Sequence, residues 1–304
     1  MRTMTLRHPI HTLDNRLLFS TGTLLTQETL DAFVRSMAYS YRTYPLLSHG
    51  SIKDDCLSLL KTQPYVNFFA KKEQLDALLN LLERVRVSAP ILLSMGYFNQ
   101  YDYYTYAHIL MALALSTLLA VDLVPNYQDY IDSSASGVTH DIGKICVPLN
   151  ILKKATPLTK TERGFIEHHT VSGYVLLCYY YKNLQHPACT AALEHHERKD
   201  GSGYPQGILL KEPMVEIIAA SDVYDALIRP RPYRSAPYDN RAALEEMTEM
   251  AKQNKLGWDV VKALIAHNRK SGPHYRELTI AADKRGTPPS RNAYGIIADE
   301  ETTD

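Results

Sequence analysis

The chain has 304 residues, enough to bury a large core, and the usual domain size favours two domains, although one long helical domain stays open. Lysine plus arginine and aspartate plus glutamate both total 33, so the formal net charge is zero. This balance excludes the overall basic field that drives nonspecific binding to nucleic acids or anionic membranes. We therefore expect no DNA or RNA partner, and any phosphate recognition must be local.

The sequence predicts a cytoplasmic protein without a membrane span. The first 15 residues are mixed polar, and the longest apolar run, Ile109 to Val121, is too short to cross a bilayer core of about 30 Å. The cysteines form no CxxC pair and lie in or near apolar stretches, as reduced structural thiols in a cytosolic protein do. They are Cys56, Cys146, Cys178 and Cys189.

Residues 1–92 are predicted to form a small helical accessory or regulatory domain. Apolar residues recur with helical spacing around Leu30 and again around Leu78, and turn residues such as those at Tyr44-Pro45 separate the two segments. The histidines here are isolated, and we assign them no role. The region is a candidate docking site for a signalling-protein partner.

Residues 93–275 follow a composition shift and carry every cluster of ligand-type side chains. Their pattern is helical with no convincing strand alternation, so the predicted fold class is all-α. Beyond them, residues 276–304 lose apolar periodicity, and we expect a flexible C-terminal tail. His108 lies at the start of the apolar run, and on spacing alone a helix-start or core histidine is favoured over a ligand.

The segment His140-Asp141-Ile142-Gly143-Lys144 is the first cluster with metal chemistry. A neutral imidazole and a carboxylate are the ligands that Fe, Mn and Zn accept, and one aspartate can bind two ions through its two oxygens. Lys144 would place a cation near a substrate phosphate. On helical spacing these residues share neighbouring faces, and a polar helix surface is the alternative interpretation.

Three further clusters follow along the chain. His168-His169 comes first, and then His195-His196-Glu197, which is followed by Asp200-Gly201 and Gly203-Tyr204-Pro205. On a helix, adjacent histidines diverge by about 100°, which suits a ligand shell around more than one ion better than a tetrahedral zinc site. The last cluster contains Asp222 and Asp225, then the cations Arg229, Arg231 and Arg234.

Over residues 95–270 these motifs, in this order, resemble the HD-GYP family of bacterial cyclic di-GMP phosphodiesterases. The five residues from His140 match the family's HDxGK pattern, and those from His195 to Pro205 match HHExxDGxGYP without a substitution. The resemblance implies an HD-type helical bundle and a metal-dependent hydrolase. It does not extend to the N-terminal region.

The resemblance also implies the role of each site residue. It makes His108 a ligand, selects His169 over an exposed neighbour His168, and gives Asp222 a metal and Asp225 an orienting role. The implied metal ligands are His108, His140, Asp141, His169, His195, His196 and Asp222. The implied substrate contacts are Lys144, Tyr204, Arg231 and Arg234, with Asp141 and Lys144 catalytic, whereas Arg229 is interpreted as a surface charge.

Two divalent ions, Fe or Mn first, are expected to be bridged by Asp141 and a hydroxide that attacks cyclic di-GMP to give pGpG or GMP. Some members of the family hold a third metal with a glutamate one turn before the first histidine, and Tyr104 stands there in this chain. That difference favours two ions over three. Hydrolysis of hybrid cyclic GMP-AMP or another nucleotide stays open, as does a cyclic-dinucleotide receptor or adaptor with weak catalysis.

Overall fold

A computed structural model of the chain describes residues 2–36, 41–69, 71–127, 131, 135–231, 236–269, 273–280, 284–289 and 297–298. Within them helices predominate and all strands are two or three residues long, so the predicted all-α class is confirmed. All four cysteines carry free thiols, as expected for structural residues.

The N-terminal part mixes short strands with helices. Antiparallel pairs form between β1 (Met4–Thr5) and β4 (Leu24–Leu25), between β2 (Ile10–His11) and β3 (Leu17–Phe19), and between β5 (Thr43–Pro45) and β6 (Arg86–Ser88). The helices are α1 (Gln27–Arg35), α2 (Ile52–Leu60) and α3 (Lys72–Leu82), with 3₁₀ turns at Leu46–Ser48 and Tyr65–Asn67. The prediction that residues 1–92 are purely helical is therefore wrong, because this region also contains short strands.

The rest of the described chain is a helical bundle. Its long helices are α4 (Ala89–Tyr101), α5 (Tyr103–Leu123), α9 (His169–Tyr181), α11 (Pro213–Ile228), α12 (Asn240–Lys252) and α13 (Trp258–Asn268). Shorter helices are α6 (Ser136–Thr139), α7 (Leu149–Leu152), α8 (Lys160–Glu167) and α10 (Pro187–Glu194), with 3₁₀ turns at Ile142–Cys146 and Tyr275–Glu277. A parallel two-residue pair joins β7 (Leu158–Thr159) to β8 (Ile297–Ala298).

Helix α5 lies at the centre of the bundle and is buried from Thr105 to Ala120. By length and composition it could cross a membrane, but 83% of its most apolar stretch is buried inside the protein. The side chain of Asp102 caps its first turn by accepting from the Thr105 backbone N–H and hydroxyl. An apolar helix packed on all sides is the expected core of a large bundle, and it fixes His108 in the interior.

The boundaries predicted at residues 92 and 275 stay predictions. Buried side chains on both sides of residue 92, such as Leu60 and Ile109, belong to one continuous hydrophobic cluster. The described part of the C-terminal tail also contacts the bundle, because Glu245 accepts the backbone N–H groups of Arg285 and Gly286 at 2.9 and 2.8 Å.

Gly143 and Gly173 allow the 3₁₀ turn Ile142–Cys146 to touch helix α9. A Cβ on Gly143 would lie 1.9 Å from the His169 carbonyl oxygen and 2.4 Å from the Gly173 nitrogen. Atoms cannot approach so closely, so only glycine at 143 permits this backbone contact. The contact brings Asp141 and His169 together from separate elements.

Replacing Gly143 by alanine should therefore lower the free energy of unfolding by at least about 1–3 kcal/mol, because rigid backbone atoms block the added methyl group. Gly164→Ala is the matched control, since a Cβ at this helical glycine meets nothing within 4 Å. That variant should be neutral or more stable by up to about 1 kcal/mol. Urea denaturation measures both, and equal stabilities would contradict the proposed close contact.

Candidate metal centre

A first group of ligand atoms comes from three separate elements. His108 extends from α5, His140 follows α6, and Asp222 lies in α11; their ligand atoms all lie within 4.8 Å of one another. All three residues are buried. Three converging donors in the interior form one candidate metal site.

A second group consists of His169, His195 and His196, whose ligand atoms also lie within 4.8 Å of one another. His169 begins α9, whereas His195 and His196 follow the end of α10 at Glu194. His196 Nδ1 also lies 3.9 Å from Asp222 Oδ2 of the first group. The two ring centroids are only 4.2 Å apart, and both histidines belong to this one group.

Asp141 lies between the two groups. Its Oδ2 is 3.4 Å from His108 Nε2 and 3.6 Å from His140 Nε2. Its Oδ1 is 3.3 Å from His169 Nε2 and 3.9 Å from His195 Nε2. Each oxygen therefore faces a different group, the arrangement that a carboxylate bridging two ions requires.

The Nδ1 atoms of four histidines are held by the surrounding protein. His140, His169 and His195 place Nδ1 against backbone carbonyl oxygens, those of Gly137 at 2.9 Å, Ile166 at 2.5 Å and Ala191 at 3.0 Å. His108 places Nδ1 2.6 Å from Asp225 Oδ2. These acceptors assign the proton to Nδ1, which leaves the Nε2 lone pairs for a metal.

The charge states suit a metal site. Burial lowers the pKa of His169 to about 4 and those of His195 and His196 well below the usual range, so these rings are neutral donors. Burial opposes ionisation of Asp141, but the Lys144 ammonium, with Nζ 2.5 Å from Oδ2, and the neighbouring His140, His108 and His169 together outweigh it and hold the aspartate pKa well below its ordinary value. Neutral imidazole and ionised carboxylate are the forms that bind metals.

His108 and His140 give a direct test of the fit. The Nε2 atoms of both are buried without a hydrogen-bond partner, which is costly unless another atom binds there. Burial lowers the pKa of His140. Burial also disfavours charge on His108, but the carboxylates of Asp141, Asp222 and Asp225 around its ring raise its pKa to about 10. The residues present therefore fit two divalent cations.

The Gly-Tyr-Pro turn closes over the second group. The buried Glu197 accepts the backbone N–H groups of Gln206 at 2.7 Å and Ile208 at 3.1 Å, which fixes the loop. A Cβ on Gly203 would lie 2.3 Å from the His196 carbonyl oxygen, so the loop can pass only without a side chain. Tyr204 stacks on His196 with ring centroids 4.5 Å apart.

Arg231, a predicted substrate contact, lies beside the first group together with Arg229. The Cζ atoms of Arg229 and Arg231 lie 5.2 and 5.0 Å from the centroid of the Tyr104 ring, which is parallel to His108 at 6.2 Å. Arg234 lies outside the described residues. The surface interpretation of Arg229 is wrong, because its side chain is only 12% exposed and lies 4.0 Å from Asp225 Oδ2.

Two neighbours of the site could not be identified from the sequence. His168 is buried against His8, with ring centroids 5.3 Å apart, and is not the exposed residue that the sequence predicted. Tyr65 donates a hydrogen bond to Asp225 from the N-terminal part. His168 stands in the His168-His169 pair, but only long-range packing shows that it is buried, and Tyr65 lies in no ligand motif.

Comparison with known proteins matches residues 89–260 to the HD domain family. A cyclic di-GMP phosphodiesterase of Pseudomonas aeruginosa is 35% identical over 162 residues, which cover 52% of this chain and 38% of that protein. A 3'3'-cGAMP-specific phosphodiesterase of Vibrio cholerae is 32% identical over 182 residues, which cover 59% of this chain and 40% of that protein. The chain thus spans about two fifths of the length of these relatives.

A solved HDG"Y"P protein from Bdellovibrio bacteriovorus superposes with a TM-score of 0.45 and 12% identity. The superposition covers 86% of this chain and 94% of that protein.

Asp141→Asn should remove at least nine tenths of the bound metal from both groups, because an amide cannot supply two anionic oxygens. Asp200→Asn is the control, since Asp200 is exposed and its carboxylate accepts hydrogen bonds from the backbone N–H and hydroxyl of Ser202. Elemental analysis of Mn-loaded protein measures the content, with circular dichroism to check the fold. Full metal occupancy in folded Asp141→Asn would refute the bridging role.

Proposed function

The chain belongs to the HD domain family, and from this membership we propose that it is a metal-dependent phosphodiesterase that hydrolyses a cyclic dinucleotide second messenger. The family match agrees with the resemblance drawn from the motifs. Cyclic di-GMP is the first proposed substrate, with pGpG or GMP as product. The observation that carries the proposal is Asp141, whose two oxygens face two separate ligand groups.

Seven residues would hold the ions. His108, His140 and Asp222 supply one group, His169, His195 and His196 the other, and Asp141 contributes to both. When bound, paired divalent cations bring the pKa of water towards about 7 and neutralise phosphate charge. Imidazole and carboxylate donors without thiolate support Fe or Mn.

Protein side chains would bind and orient the substrate. Lys144, Arg231 and Arg234 carry the charge to bind phosphate oxygens, and guanidinium groups do so with paired hydrogen bonds. Tyr204 offers an aromatic face beside His196, on which a nucleobase could stack. Asp225 would keep His108 oriented through its Nδ1 hydrogen bond.

Hybrid cyclic GMP-AMP is the second candidate substrate. Its support is the similarity over 182 residues to a phosphodiesterase named for that dinucleotide. The loop after the Gly-Tyr-Pro turn also carries Leu209, whose side chain is exposed, and it could contact one of the two bases. A cytoplasmic location and a signalling partner bound through residues 1–92 complete the proposal.

The deciding experiment loads the protein with Fe or Mn under anaerobic, reducing conditions and incubates it with cyclic di-GMP and with cyclic GMP-AMP. Chromatography should show linear dinucleotide or mononucleotide, faster from the preferred substrate. Protein that is metal-loaded and binds cyclic di-GMP but releases no linear product over hours would overturn the hydrolase proposal in favour of a receptor.

Arg231→Ala should raise KM by about ten- to a hundredfold, because a charge-assisted hydrogen bond to phosphate is worth about 1.5–3 kcal/mol. Its metal content should equal that of the wild type. Arg241→Ala removes an exposed arginine of α12 and should leave KM unchanged. Steady-state kinetics with both variants measures the effect, and an unchanged KM in Arg231→Ala would remove Arg231 from the substrate site.

A further inference from the structure

The carboxylate of Asp225 joins a metal-site histidine to the N-terminal part of the chain. Its Oδ2 lies 2.6 Å from His108 Nδ1, and its Oδ1 accepts a hydrogen bond from the Tyr65 hydroxyl. Asp225 is fully buried, and Tyr65 is 2% exposed. The two oxygens thus have two different partners from two parts of the molecule.

Tyr65 lies outside the segment that matches the HD family, which begins at residue 89. It belongs to the 3₁₀ turn Tyr65–Asn67. Phe68, the residue after this turn, packs edge-on against Tyr224 of α11 with ring centroids 5.6 Å apart. This turn is therefore docked on the helix that carries Asp222 and Asp225.

We propose that Tyr65 is a positioning residue of the metal centre: through Asp225 it holds the His108 ring so that Nε2 faces the first ligand group. This inference rests on the metal site of the proposed function. It implies that residues 1–88 contribute a functional group to a site whose ligands all lie within residues 89–260, the range that matches the HD family.

The physical reason is that a buried carboxylate needs both of its oxygens fixed if it is to hold one ring in one orientation. His108 alone fixes only Oδ2, and Arg229 Nη1 lies 4.0 Å from the same atom. Without the Tyr65 hydroxyl, Asp225 could rotate towards the guanidinium and release His108. Partners behind a ligand histidine typically change metal affinity by about 10–100-fold when removed.

Tyr106 offers a matched control for a merely structural role. It also is a buried tyrosine, on α5 two residues before His108, and its hydroxyl donates to Asp55 Oδ2 of α2 at 2.7 Å. Tyr106→Phe therefore also removes a tyrosine–carboxylate hydrogen bond between the N-terminal part and the bundle, a part-buried one that does not lead to a ligand.

The experiment titrates the apo 304-residue chain with Mn²⁺, and with Co²⁺ to record the visible absorption of the bound ion. Tyr65→Phe should weaken Mn²⁺ binding by about 3–10-fold, less than the about 10–100-fold expected for Asp225→Asn, because Tyr65 is one contact farther from the metal. It should also shift the Co²⁺ spectrum. Tyr106→Phe should keep the affinity and spectrum of the wild type, although it also loses a tyrosine–carboxylate hydrogen bond.

A double variant, Tyr65→Phe with Asp225→Asn, tests the route of the effect. If Tyr65 acts through Asp225, the double variant should bind Mn²⁺ no more weakly than Asp225→Asn alone. Additive losses, or a Tyr65→Phe protein with wild-type affinity and spectrum, would overturn the inference. Because these measurements need no substrate, a wild type that binds metal but hydrolyses nothing would refute the proposed function and leave this inference standing.

Discussion

The metal centre depends on one buried carboxylate, that of Asp141, with an oxygen directed at each histidine group. An ionised carboxylate in the protein interior costs several kcal/mol unless other groups compensate for its lost hydration. The Lys144 ammonium supplies one compensating charge, and His140, His108 and His169 also favour the ionised form of Asp141. Asp222 places a second buried carboxylate in the same site, and cations between the two groups would compensate both aspartates. The buried side chains are therefore arranged to hold cations.

The site could be predicted from the sequence to the extent that its chemistry is local. The motifs predict His140 and Asp141 as ligands, and the structure brings both residues into the two ligand groups. The same motif contains Gly143, which the close packing against His169 requires. Local order could not show the partner of Asp225 or the burial of Arg229. Both depend on contacts across the fold, since Tyr65 precedes Asp225 by 160 residues.

The N-terminal strands were missed for a different physical reason. A strand of two residues, such as Met4–Thr5, is too short to show the alternation of apolar and polar side chains by which strands are recognised. Strand β5 pairs with β6 across more than 40 residues, Tyr44 with Val87, and the helical spacing of α2 and α3 between them dominates the pattern. Helices α2 and α3 could be predicted because the spacing of apolar residues in an amphipathic helix is visible within a few turns of sequence.

The surroundings of Tyr104 bear on how many cations the centre would hold. This residue lies one turn before His108, its ring is parallel to that imidazole, and it offers no carboxylate. Two guanidinium groups, those of Arg229 and Arg231, lie about 5 Å from the ring. The two guanidinium groups already place positive charge beside the aromatic face of Tyr104. A third metal ion bound here would be repelled by that charge. The same charges would attract a phosphate. Tyr104 in place of a glutamate therefore supports the proposal of two ions, and of a pocket with more positive charge than a glutamate at this position would leave.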